Sequence, residues 1–400
     1  MPRSAMLLEP VDPNERFRAR RRQARRRQTV RRLTLLVVVT LAAAGATLGA
    51  RFLDEDSAGL RANDAPAGQA TTPPAPPKPE YRPYPDEMRG VHVTMALASL
   101  DGKFDEYLAL TREGLNTIEL DVKDENGEVG FRVRVPLARQ IGSAHTYYDA
   151  EELVEKVRAK GVYLVGRVVV FEDPLLASQR PKYAIRNADG SVWTNSAGLG
   201  WANPYDKRVW KYNVDIAVAA AKAGFDEIQF DYIRFPTDGN IDSAVYAGER
   251  KEKKHATIAR FLEYARSRLE PLAVRMSADV FGLSATRNMG IGQTPRRLAR
   301  YLDAIYPMVY PSHYGPGELG LDDPNADPGR TVALSLRDFA ADLTGHKTRL
   351  VPWLQDFSLG REYSKDDVRL QILAARDASA DGFLLWNPSG IYTHGVLSAP

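Results

Sequence analysis

Apolar and polar positions follow two alternating periods from residue 89 onward. Eight runs have the two-residue alternation or the β-branched character of strands: 89–94, 117–124, 162–171, 227–236, 274–282, 304–314, 349–357 and 382–390. Helical patterns fall between them at 104–114, 149–161, 206–224, 255–272, 295–303 and 364–380, with a less regular one around 331–345. Eight strands with intervening helices predict an α/β fold, a (β/α)8 TIM barrel over residues 86–400. The chain stops soon after the last strand, so the eighth helix is expected to be short or missing.

Side-chain parity supports a barrel independently. Ile118, Leu120 and Val122 share one face of their strand, and Glu119, Asp121 and Lys123 share the other. Met276, Ala278 and Val280 likewise oppose Arg275, Ser277 and Asp279, and Val91 and Val93 oppose His92 and Thr94. The apolar faces must meet the helices, which turns the polar faces into the lumen. A purely structural barrel fills that space with Val, Ile and Leu. Here acids and bases occupy it. Asp231, in the stretch EIQFDYIRFP, shares its parity with Gln229 and Ile233 and is expected in the lumen near the C-terminal mouth.

The N-terminal part has a different pattern. Residues 1–32 hold eleven arginines against three acids and read as a basic cytoplasmic tail. Residues 33–50 carry no charge and just reach across a hydrocarbon core, so a transmembrane signal anchor is expected there, with the N-terminus inside. A cleaved signal is the alternative, with Ala44-Gly45-Ala46 as its site; either way the rest of the chain is exported. Residues 51–85, rich in Pro and Ala, read as a disordered linker. The net charge of +3 therefore reflects the tail, and the remainder is mildly acidic, which argues against nucleic acid as a partner. Cysteine is absent, so thiolate chemistry is excluded.

Acids cluster where strands are predicted to end: Asp121, Glu172, Asp173, Asp231, Asp279 and Asp356. Active sites of this fold lie at that face, and paired carboxylates are the usual apparatus for splitting a glycosidic bond. Each acid alone can equally be half of an ion pair, with Arg167, Arg234 or Arg275 as the other half. Trp193 and Trp201, in a Gly/Asn/Ser-rich loop, are expected to face a sugar ring, as are Trp353 and Trp386 from the last strands. Asn203, Gln355 and Asn387 are placed to bond hydroxyls. The six histidines lack metal-ligand spacing, so no metal or cofactor is expected, although His92 and His313 can approach each other at the mouth.

The motifs RGVHVT, DEIQFDYIRFPTDG, MSADVFG, IYPMVYPSHY and FLLWNPS together resemble the bacterial family of "putative glycoside hydrolase" domains built on a TIM barrel, over roughly residues 88–392. A more distant similarity is to α-amylase-type barrels. That resemblance implies Asp231 as nucleophile, or base in an inverting reaction, and Asp279 as general acid. Tyr232 and Arg234 are expected to support Asp231, and His92, Asp121, Glu172, Tyr310 and His313 to line the substrate site, with a polysaccharide outside the cytoplasm as substrate. The chain departs from the amylase pattern at Gln229, where an arginine is usual, and at Asp279, where a glutamate is usual. A glycan-binding barrel without catalysis and a metal-dependent deacetylase are the alternatives.

Overall fold

The predicted strands form in the predicted order. The computed structural model describes residues 80–247 and 252–398. Its strands are β1 Met88–Val93, β2 Thr117–Lys123, β3 Tyr163–Val169, β4 Glu227–Asp231, β5 Arg275–Phe281, β6 Ala304–Val309, a two-piece β7 of Arg349–Leu350 and Trp353–Gln355, and β8 Gly382–Trp386. Neighbours in sequence pair in parallel, β5 pairs with β6, and β1 pairs with β8, so the sheet closes without an edge. Pro352, which has no N–H for the ladder, lies in the gap in β7.

Among the described residues β1 to β7 are each followed by a connecting helix: α1 Lys103–Ala109, α2 Ala150–Ala159, α3 Lys207–Ala223, α4 Lys254–Leu269, α5 Pro295–Leu298, α6 Pro328–Leu343 and α7 Lys365–Asp377. Their starts follow from local chemistry. Asp149, Asp206 and Ser364 accept the first free N–H groups of α2, α3 and α7, and Ser364 with Asp367 completes a capping box. Gly224 ends α3 with φ 105, a conformation that favours glycine. After β8 no helix follows among the described residues. Instead the segment after Trp386 runs back to the start of the barrel, where Tyr392 Oη donates to His92 O at 2.5 Å and Gly395 N to Glu113 Oε2 at 2.7 Å.

The two strand faces pack separately. Ile118, Leu120, Ile228, Met276 and Val280 join Val154, Val157, Ile216, Leu262, Leu336 and Ile372 of the helices in one buried cluster. Each such side chain contributes about 1.5–3 kcal/mol by leaving water. A second cluster, including Tyr163, Val165, Tyr306, Trp353 and Leu384, fills the lumen below the polar layer.

Three expectations shift. Lys123 does not share the lumen with Glu119 and Asp121. The β2–β3 register slips between Asp121 and Lys123, so Lys123 pairs with Val168 and turns outward. There its Nζ meets Asp173 Oδ2 at 2.8 Å, both groups being fully buried. Strand β4 stops at Asp231 instead of running to residue 236, and Ile233 joins the outer apolar cluster. Residues 80–85 are packed under the barrel: Arg82 Nη1 lies 3.1 Å from Asp226 Oδ2, and the Tyr84 ring sits against the guanidinium groups of Arg275 and Arg349 at 4.3 and 4.5 Å. The basic tail, the segment 33–50 and the linker up to residue 79 lie outside the described residues. Among the described residues no helix is long and apolar enough to cross a membrane.

Candidate active site

Strand β4 delivers Asp231 to the mouth and stops there because the next residue turns. Tyr232 has φ 52, which a residue with a Cβ adopts at a cost of about 1–3 kcal/mol. Its N–H donates to Asp231 Oδ1 at 2.6 Å, which fixes the carboxylate relative to the turn. The other oxygen, Oδ2, accepts from Arg167 Nε at 3.0 Å and Nη2 at 2.6 Å. Arg167 stands on β3, in register with Gln229. Its Nη1 also donates to Asp121 Oδ1 at 2.8 Å and lies 3.6 Å from Glu125 Oε2. Burial works against the guanidinium charge, but Asp231 and Asp121 outweigh it and hold its proton more tightly than usual. One arginine thus serves as counter-ion to two buried acids.

Asp279 sits on the neighbouring strand, one step beyond the Phe230–Ala278 register pair. Its Oδ1 accepts from Gln229 Nε2 at 2.6 Å and from Trp353 Nε1 at 2.7 Å. Burial, then the charges of Asp231 and Glu119, push the Asp279 carboxyl well above the usual range; Arg167 and the Trp353 bond oppose this with less weight. Because Oδ1 already takes two N–H donors, the proton belongs on Oδ2. Two neighbouring acids therefore differ: one is clamped by a cation and the other is pushed towards its protonated form, the arrangement that separates a nucleophile or base from an acid.

Beside them His92 Nδ1 bonds Glu119 Oε2, and His92 Nε2 is 3.8 Å from Asp121 Oδ1. At the rim, Tyr310 packs on His313, Phe357 and Trp386 with centroids 5.4, 5.8 and 5.4 Å away. His313 is exposed and Trp386 half-buried, so this aromatic group presents surface to a ligand. His313 belongs to this group while His92 faces Trp353, ring centroids 6.4 Å apart. Glu119 and Phe357 were not singled out by motif; parity alone put Glu119 in the lumen.

Other candidates are committed elsewhere. Trp193 and Trp201 depart from the expected ligand-facing loop: they are 1% and 0% exposed, within the main apolar cluster. The loop folds inward because Trp193 Nε1 donates to Asn240 O at 2.8 Å and Arg234 stacks over Trp201 at 4.9 Å. Arg234 is not the partner of Asp231. Its guanidinium lies over Trp201, Tyr232 and Phe281, and its Nη1 donates to Phe235 O at 3.3 Å. Gln355 is wholly buried, accepting from Ser312 Oγ at 2.8 Å and donating to Phe357 O at 2.9 Å, so it has no face for a sugar. Asn387 spends its amide on Asp356 O and Ser389 N, and Asn203 on Ala247 O and Tyr205 N. Glu172 is buried 3.4 Å from Asn195 Nδ2, and its charge is the main cause raising the Tyr232 hydroxyl. Asp173 caps a short helix at 174–179 besides binding Lys123. Arg275 stacks on Tyr84 at the floor.

Asp356 anchors the C-terminal segment, accepting from Thr393 N at 2.8 Å and Oγ1 at 2.6 Å. Burial outweighs these bonds and lifts its carboxyl to about 6. Between roughly pH 4, where the unfolded chain loses this proton, and pH 6, where the folded one does, unfolding releases a proton. Stability from this group is therefore lost as pH rises through that window. Asp356→Asn, whose amide can satisfy Thr393, should gain melting temperature relative to wild type from pH 4 to 6 and then hold a constant difference. A thermal-shift series across that range checks it.

Among the described residues no group of three or more His, Asp or Glu side chains is arranged to hold a metal ion.

Comparison with known proteins bears on the fold and the family. No curated protein sequence matches the chain. The structure is similar to the glycoside hydrolase domain of PgaB (BpsB) from Bordetella bronchiseptica, with a TM-score of 0.55, 13% identity, and 75% of this chain and 94% of that chain covered. It is also similar to an endo-1,4-beta-D-mannanase from Thermotoga petrophila, with a TM-score of 0.50, 13% identity, and coverage of 75% and 88%. At such identities the likeness speaks for the fold. A hypothetical protein from Ruminiclostridium thermocellum shares 36% identity over 48% of this chain and 97% of its own, with a TM-score of 0.44. The family model described as "Putative glycosyl hydrolase domain" matches residues 90–392, and the chain belongs to that glycosyl hydrolase-like family.

Proposed function

We propose that this barrel hydrolyses glycosidic bonds of an extracytoplasmic or envelope polysaccharide, with Asp279 as general acid and Asp231 as nucleophile. The observation that carries this reading is the pair itself: an arginine-clamped carboxylate beside a buried carboxyl, Asp279, that takes N–H donors on one oxygen and that burial pushes towards the protonated form. In the first step Asp279 Oδ2–H gives its proton to the glycosidic oxygen as the C–O bond breaks. Asp231 forms an ester to the anomeric carbon, and Arg167 and the Tyr232 N–H keep its oxygens aimed. Water then attacks that carbon, giving its proton to the Asp279 carboxylate and releasing Asp231. In an inverting enzyme Asp231 would instead take the proton of the attacking water. The Tyr310, Phe357 and Trp386 rings provide apolar surface for a sugar's C–H face, with His313 at the edge.

The test is a panel of polysaccharides incubated with the full chain and read by mass. Products heavier by one water per bond cleaved are expected. Binding without products would favour a glycan-binding barrel, and loss of acetyl groups a deacetylase.

We further infer that the barrel is membrane-held and outside the cytoplasm, from the arginine-rich residues before 33 and the uncharged stretch after them. Fractionation should recover the intact chain with membranes, with a reporter at Pro400 active outside the cytoplasm. Recovery of the intact chain from the cytosol would overturn this.

A further inference from the structure

Arg234 is the most deeply buried arginine among the described residues, 7% exposed, and it holds no carboxylate there. Arg167, Arg266, Arg361 and Arg376 are less buried, and each holds one at 2.6–2.9 Å. Three aromatic rings surround Arg234 instead, with Cζ 4.9 Å from the Trp201 centroid, 5.0 Å from Tyr232 and 4.7 Å from Phe281. Such contacts offset part of the cost of burying the charge. They do not satisfy the N–H donors, which lie in the guanidinium plane. Nη1 donates to Phe235 O at 3.3 Å and to Thr237 Oγ1 at 3.4 Å, and both bonds are long. Nε and Nη2 make no hydrogen bond among the described residues. The nearby acids are engaged elsewhere, Asp231 by Arg167 and Glu172 beside Asn195. A buried cation in this condition is costly unless an anion joins it.

The cage stands at the acid pair. Tyr232 follows Asp231 directly, and Phe281 follows Asp279 by two residues on β5. Phe281 therefore shares the face of Asp279, about 7 Å further towards the mouth. Tyr232 and Phe281 are only half-buried, so the cage has an open side. We propose that Arg234 is a subsite for an oxyanion carried by the substrate, and that the polysaccharide is acidic. Nε and Nη2 form one edge of the guanidinium, the same edge by which Arg167 holds Asp231 Oδ2. That edge suits a carboxylate or a phosphate through two parallel bonds. A glycan lying across the mouth then meets apolar rings at the ends of β6, β7 and β8 and a positive charge at the ends of β4 and β5. The inference rests on the reading of the mouth as a glycan site, and it does not require hydrolysis.

Calorimetric titration of the full chain with glucuronate, glucose-6-phosphate and glucose compares a carboxylate, a phosphate and no charge on one sugar. The acidic sugars should bind roughly tenfold or more tightly than glucose, as expected for a charge-assisted pair of bonds. Whichever of the two binds better identifies the anion. Added salt should weaken the preference. Arg234→Gln should bring the ratio of affinities to about one, and Arg234→Lys, which keeps the charge without the fork, should retain part of it. Equal or absent binding of the three sugars by wild type would overturn the inference, whether or not Arg234→Gln folds. A preference that survives in folded Arg234→Gln would overturn it too. Charge preference with no products from any polysaccharide would leave this subsite in place and remove the hydrolytic reading. Hydrolysis of neutral glycans with no charge preference would do the reverse.

Discussion

Asp231→Asn is expected to abolish most hydrolysis while the barrel stays folded. The amide retains the size of the carboxylate and can keep one of its two sets of partners, Tyr232 N or the Arg167 fork. The other set then faces an N–H₂ group, and one unmet buried donor costs about 1–3 kcal/mol. Arg167 is not stranded, because Asp121 Oδ1 remains 2.8 Å from its Nη1. The melting temperature should fall only modestly. The rate on whichever polysaccharide the panel identifies should fall roughly 10²–10⁴-fold or more, as when one acid–base group is lost. The substitution also removes the Asp231 charge that helps keep Asp279 protonated. Any residual activity should therefore lose its alkaline limb at lower pH than wild type. A folded variant with wild-type rate would remove Asp231 from the mechanism, and an unfolded one would make its role structural.

The strand and helix order was legible because each element carries its own period and its own cap. Parity along β2 and β5 alone puts Glu119, Asp121 and Asp279 in the lumen. The misplacements share one cause: a local signal overruled by a tertiary contact. Residues 232–235, Tyr-Ile-Arg-Phe, have the composition of a strand, yet β4 ends at Asp231, whose carboxylate caps the turn that follows. A slip in register after Asp121 reverses Lys123, and no property of Lys123 itself announces a bulge. The loop around 187–203 reads as exposed from its Gly, Asn and Ser. Those residues instead make the turns that tuck Trp193 inward, with Asn195 Oδ1 accepting from Ala197 N and Leu199 N. Finally, Arg167, Arg234 and Arg275 were equivalent partners for Asp231 in the sequence. The barrel separates them: β3 lies beside β4 and brings Arg167 to Asp231, Arg234 turns into the rings of Trp201, Tyr232 and Phe281, and Arg275 lies at the floor. Arg167 stands in register with Gln229 on that neighbouring strand.

That placement makes Arg167 the residue whose loss should destabilise the site most. In Arg167→Met the side chain keeps much of its volume but leaves Asp231 and Asp121, 5% and 1% exposed, facing the same space without their counter-ion. Removing one partner from a buried charged group costs about 3–5 kcal/mol, a large share of the stability of an ordinary domain. The cost should depend on pH in a defined direction. Without the guanidinium both acids bind protons more tightly when folded than when unfolded, so unfolding releases protons and stability is lost as pH rises. The melting-temperature deficit of Arg167→Met should be largest near neutrality and shrink on acidification as the two carboxyls protonate. Arg167→Lys keeps the charge but not the fork that reaches Asp231 through Nε and Nη2 and Asp121 through Nη1. It should recover much of the stability and little of the activity, since one ammonium cannot fix both carboxylates at once. Thermal melts of the three proteins from acid to neutral pH decide the matter. A deficit that is small, or the same at every pH, would mean that Arg167 does not carry the charge balance of the lumen.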